Sequence, residues 1–80
     1  MAAFQVLMIC EDDSEIIIGD VSGQPGKIGY VFSDADTALE AALNAFRRYT
    51  INLDIPFHEL MISRIQVRCD GCLLYEFIHH

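Results

Sequence analysis

Cys69 and Cys72 have the spacing most suggestive of chemistry, with Cys10, His58, His79 and His80 as the other soft ligands in the chain. Structural zinc takes four such ligands, ordinarily from two sequence pairs. Here one pair has ligand spacing, and the adjacent His79-His80 is not a normal ligand pair. A thioredoxin-like redox centre would place Cys-x-x-Cys at the start of a helix after a strand. Asp70-Gly71 between these cysteines is instead a turn signal, and thiols facing across a turn act as small apolar residues. We assign no metal and no cofactor. The alternative is a small zinc protein or enzyme using Cys69 and Cys72 with Cys10 or His58.

Other catalytic patterns are weaker. Ser14, Ser22, Ser33 and Ser63 lack a nucleophile-elbow context, and His58 is the only internal histidine. Gly19, Gly23, Gly26 and Gly29 fall between expected strands, with no helix N-terminus to receive a phosphate, so they read as turn residues. Asp12-Asp13-Ser14-Glu15 gathers carboxylates without the calcium-loop spacing. The chain is therefore expected to be non-catalytic.

The elements that position these residues follow from apolar periodicity. Phe4–Cys10 alternates as a first strand, with Phe4, Val6, Met8 and Cys10 on one face and Gln5, Leu7 and Ile9 on the other. Glu15 to Val21 reads as a second strand, apolar on both sides and so expected to be central or covered. A loop over 22–27 leads to a third short strand, Ile28–Phe32. Asp34 or Ser33 caps a helix running to about Tyr49, with Leu39, Ala42, Leu43, Phe46 and Tyr49 as its buried stripe and Ala38 and Ala45 at the border. Thr50–Leu60 reads as irregular, extended over the core or with one helical turn at 56–60. A hairpin over about Met61–Ile78 closes the chain. The expectation is one domain over residues 1–80, of α+β class, in the order β-β-β-α-β-β, with one main helix on one face of an antiparallel sheet.

The hairpin is the most specific local signal. A type I′ turn needs positive φ at both central residues, which Asp70-Gly71 supplies. Regular pairing from that turn sets Cys69 opposite Cys72, Val67 opposite Leu74, and Ile65 opposite Glu76. Ile65, Val67, Cys69, Cys72, Leu74 and Ile78 would then meet the helix. The other face would set Arg64, Gln66 and Arg68 across from Phe77, Tyr75 and Leu73. Arginines beside large aromatics resemble an interface hot spot. The simpler reading is that the arginine stems shield the rings from water.

Composition bounds the function classes. The 80 residues are 52% hydrophobic, against roughly 45–50% for ordinary domains. So short a chain buries only about 60–65% of its unfolded surface, so some large apolar side chains should stay outside the core. The formal charge of −7 is uneven. Residues 1–46 hold eight acids against Lys27 alone, whereas 47–80 hold four acids and four arginines. An acidic domain repels nucleic-acid phosphates and is drawn to basic protein surfaces. RNP motifs are absent as well, so no direct nucleic-acid partner is expected. No apolar run approaches a membrane span, the N-terminus lacks a basic leader, and three cysteines do not pair fully, which together point to the cytoplasm.

The segment Asp34-Ala-Asp-Thr-Ala-Leu-Glu-Ala-Ala-Leu-Asn-Ala-Phe, followed later by Ile55-Pro56, resembles the helix of HicB-type antitoxins. The Pro-Gly-Cys segment that precedes that helix in the family is not reproduced, and no DNA-binding module follows. In format the chain is similar to small phage host-takeover proteins, including anti-CRISPR inhibitors and inhibitors of host RNA polymerase. These resemblances imply a small acidic inhibitor or else an antitoxin-like protein, and a homo-oligomeric structural subunit is a separate alternative. The expected partner is a larger protein with a basic surface, a second copy, or both, with no membrane. The expected contact residues are Glu11, Asp12, Asp13, Glu15, Asp20, Arg64, Gln66, Arg68, Tyr75 and Phe77.

Overall fold

The strand whose two faces are both apolar, β1 (Phe4–Cys10), takes a central place in an antiparallel four-stranded sheet. The computed structural model describes residues 2–48 and 62–78. Within them follow β2 (Glu15–Ile17), α1 (Ala35–Phe46), β3 (Ile62–Cys69) and β4 (Cys72–Ile78), and the strands lie in the order β2-β1-β3-β4. The fold is α+β, but the element order is β-β-α-β-β.

Two expectations are corrected here. The second strand was expected to run to Val21 in a central or covered place. It spans Glu15–Ile17 and lies at the sheet margin, because the chain turns back at Gly19. Ile18 still donates to the Val6 carbonyl at 2.9 Å and forms a lone bridge with Pro25. The third strand, Ile28–Phe32, does not form. Tyr30 N–H bonds the Lys27 carbonyl at 3.1 Å around Gly29, whose φ of 88° breaks extension. Only Phe32 reaches the sheet, exchanging two backbone hydrogen bonds with Phe4 at 3.0 and 2.7 Å.

Asp34 caps α1 as its sequence position suggests. Its backbone is extended, and its carboxylate accepts the Thr37 N–H at 2.9 Å and the Thr37 hydroxyl at 2.8 Å. The helix packs on β1 and β3 through a stripe that keeps Ala42 and Phe46 from the expected one but is centred on the alanines rather than on Leu39 and Leu43. Ala38, Ala41, Ala42 and Ala45 are fully buried, Leu39 is half-buried, and Leu43 faces solvent. The sheet supplies the bulk, from Phe4, Val6, Met8, Ile65 and Val67, and methyl side chains let the helix axis come close to it. Each of those larger buried side chains contributes about 1.5–3 kcal/mol over its exposed state. Tyr49, the Thr50–Leu60 segment with His58, Met61, His79 and His80 lie outside the described residues.

Candidate binding surfaces

The β1–β2 turn is a three-residue hairpin connection that presents acids. Cys10 N–H bonds the Ser14 carbonyl and Asp13 N–H bonds the Cys10 carbonyl, each at 2.9 Å, with Asp13 left-handed at φ 67°. Asp12 folds over the turn, accepting the Ser14 hydroxyl at 2.6 Å and the Ser14 N–H at 3.0 Å. Those two bonds, the hydroxyl's first, hold the Asp12 carboxyl below its ordinary range. Glu15 opens β2, and Asp20 sits in the loop after it, taking the Ser22 N–H on its carboxylate at 3.3 Å. Glu11, Asp12, Asp13, Glu15 and Asp20 are all exposed, and all flank β2.

Beside these acids runs an open groove of about 420 Å³ lined by Glu15, Ile16, Ile17, Gly26 and Ile28. Ile28 is 96% exposed, and Val21, Tyr30 and Val31 are exposed in the same loop. Read as a strand, the 28–32 segment gave no hint of this; its Gly29 and the surrounding turn residues were the available signal. The loop is fastened to the helix behind it. Asn44 donates to the Val21 carbonyl at 2.8 Å, and Gly23 lies so near α1 that a Cβ there would stand 2.4 Å from the Ala45 nitrogen.

The hairpin turn forms as expected, with Asp70 at φ 51°, Gly71 at 85°, and Cys69 opposite Cys72. Beyond Arg68, however, the register shifts by one residue. Leu74 is the extra residue of a β-bulge, so Val67 faces Tyr75 and Ile65 faces Phe77, rather than Leu74 and Glu76. Tyr75 and Phe77 therefore turn to the helix side, where Phe77 approaches Phe46 at 6.3 Å between ring centroids. The expected patch of Arg64, Gln66 and Arg68 with Tyr75 and Phe77 is thus divided between the two faces.

On the face away from α1 the polar side chains bind one another. Gln66, nearly buried, donates to Glu76 Oε2 at 2.6 Å and accepts from Arg68 Nε and an Arg68 terminal nitrogen at 2.9 and 2.6 Å. Arg64 lies 3.6 Å from Glu76, and Arg68 reaches across β1 to Glu15 on β2 at 3.7 Å. The network ties together strands that are not neighbours. It accounts for the arginines without any aromatic partner.

Cys10 stands apart from the other two thiols. Cys10 is buried at the far end of β1 from Phe4, the residue paired with Cys69, a distance of roughly 20 Å along a strand. Burial, then the charge of Asp70, pushes the Cys69 thiol up. Among the described residues, three or more His, Cys, Asp or Glu side chains nowhere gather in a way that would hold a metal ion.

β4 closes the other side of the sheet. Among the described residues its strand neighbour is β3, and Leu73, Leu74, Tyr75 and Ile78 are 51, 46, 45 and 54% exposed. Among the described residues no helix is long and apolar enough to cross a membrane. No family model matches the chain, and no curated protein or solved structure matches it significantly. The antitoxin likeness therefore remains confined to the residues of α1 and Ile55-Pro56.

Proposed function

We propose that this is a non-catalytic protein-binding domain of the cytoplasm that occupies a basic surface on a larger protein, in the manner of a small acidic inhibitor. The observation that carries the reading is the convergence around β2 of five exposed acids and an apolar groove. The acids supply long-range attraction, which speeds encounter and rejects anionic competitors. The groove and the exposed Ile28 supply apolar area that is removed from water once the partner is seated. A partner surface that ordinarily holds nucleic acid has the matching charge, so inhibition of a nucleic-acid-handling protein is the most specific form of the proposal.

The test compares native-lysate capture by the wild type with capture by a variant carrying Glu11→Gln, Asp12→Asn, Asp13→Asn, Glu15→Gln and Asp20→Asn. The partner taken by the wild type should associate more slowly as salt rises, and the variant should lose most of that rate and its salt dependence. Equal capture and equal salt response in the two proteins would overturn the proposal.

A further inference from the structure

We propose that Cys69 and Cys72 form a reversible dithiol pair, which a small-molecule disulfide oxidises to a cystine bridge across the hairpin turn. The site lies apart from the acidic groove and does not depend on the function proposed above.

Position supplies the first argument. Cys69 and Cys72 are register partners flanking Asp70-Gly71, so their side chains leave the sheet on one face. Residues that flank a two-residue turn exchange both backbone hydrogen bonds, which sets their Cα atoms about 5.5 Å apart. Cystine bridges span roughly 4.4–6.8 Å between Cα atoms. The turn is fixed: Asp70 and Gly71 both hold positive φ, and Asp70 N–H bonds the Ala3 carbonyl at 3.4 Å. Burial and Asp70 raise the Cys69 thiol most, and the charge of Cys72 adds to them, so the two sulfurs sense each other. No other pairing within the chain competes. The sequence has three cysteines, and Cys10 is buried at the Ile62 end of β3.

The unlike environments of the two thiols set the order of events. Cys72 is exposed, whereas Cys69 packs at the edge of the core and its thiol donates to Asp70 Oδ2 at 3.7 Å. Cys72 therefore reacts first. It loses its proton to water, and its thiolate attacks one sulfur of the incoming disulfide, whose S–S bond breaks and whose other half leaves as a thiolate. Cys69 then gives its proton to water and attacks Cys72 Sγ, breaking the mixed disulfide and releasing the second half. Two protein thiols are oxidised, and one small disulfide is reduced to two thiols that recover the two protons.

Spacing also fixes how tightly the bridge holds. Opposed Cβ atoms stand about 5 Å apart in a sheet, against about 3.8 Å in a relaxed cystine. Closure draws the strands inward, and a bridge strained in this way is readily reduced. The pair is thus suited to switching with the thiol–disulfide balance around it, not to permanent cross-linking.

The test incubates the folded full chain with glutathione disulfide, quenches with acid, then unfolds, alkylates and weighs the product by mass spectrometry. The wild type should come to lack two hydrogens and retain one alkylatable thiol. Trypsin should place the loss on the peptide that begins at Cys69, with Cys10 alkylated on another. Excess reduced glutathione should restore all three thiols. Cys10→Ser should close like the wild type, and Cys69→Ser should stop with glutathione attached to Cys72. Thiols that all persist in excess oxidant, or a wild type arrested as the mixed disulfide, overturn the proposal. So does a link through Cys10, or a bridge that excess reduced glutathione leaves intact. Should either variant not fold, the wild-type peptide masses decide alone.

Discussion

β2 offers three residues at its margin and β4 offers seven, and the contrast extends to charge and backbone. On the β2 side a glycine-rich loop returns over the strand, satisfies its Ile17 carbonyl and docks on α1, while the β1–β2 turn, Glu15 and Asp20 supply carboxylates. On the β4 side a tight turn delivers a long apolar strand with nothing beyond it among the described residues. One margin is therefore short and ringed by charge. The other is longer and mostly apolar. Each was built by its loop, and substitutions in those loops separate the two most sharply.

The largest difference is expected at two glycines with nearly the same φ, +91° at Gly23 and +85° at Gly71. Alanine at Gly71 meets nothing within 4 Å, so only left-handed backbone strain remains, about 1 kcal/mol. Alanine at Gly23 adds a collision with the α1 backbone to the same strain and should cost about 3 kcal/mol in urea unfolding. Equal costs would mean that the loop is not packed against the helix.

The polar network should rank next. Gln66→Ala strips a nearly buried hub from Arg68 and Glu76 and should cost about 1–2 kcal/mol. Glu15→Gln breaks only the 3.7 Å pair with Arg68, both side chains being substantially solvated, and should cost under ~0.5 kcal/mol. A reversed order would place the stabilisation in the ion pair rather than in the amide.

Deleting Leu74 should change stability by no more than about 1 kcal/mol, because Leu74 is the inserted residue. Cross-strand nuclear Overhauser contacts from Val67 to Tyr75 and from Ile65 to Phe77 should persist in the deletion variant. If Tyr75 and Phe77 exchanged faces instead, the bulge would not be what sets their direction.

How far the sequence foretold these features depends on whether the cause was local. Asp70-Gly71, the Asp34 cap and β1 were legible because each follows from backbone preference or from apolar periodicity within a few residues. The bulge was not: one inserted residue leaves no mark on the alternation of Leu73 to Ile78, and its cost is recovered only when Tyr75 and Phe77 reach the helix side. The helix stripe was misplaced for a related reason. Leu39 and Leu43 dominate any hydrophobic count, yet over a sheet already filled by Phe4, Met8 and Ile65 the fully buried helix positions are all alanines, with Phe46 packing at their border. Of the surfaces, the acids at 11–20 were visible as charge, and the groove was hidden by reading Ile28–Phe32 as a strand.

The smallest effect is confined to acid. The Thr37 N–H, then the Thr37 hydroxyl, hold the Asp34 carboxyl below its ordinary 3.8, so the folded state binds this proton less readily than the unfolded chain. The cap's contribution is complete above that value and is lost as pH falls below it toward the lowered one. Melting temperature measured against pH should therefore drop less steeply in this acid window for Asp34→Asn than for the wild type.

Pro25 beside Ile18 has a consequence for aggregation. A proline nitrogen carries no hydrogen, so at that position an incoming strand finds no donor to pair with.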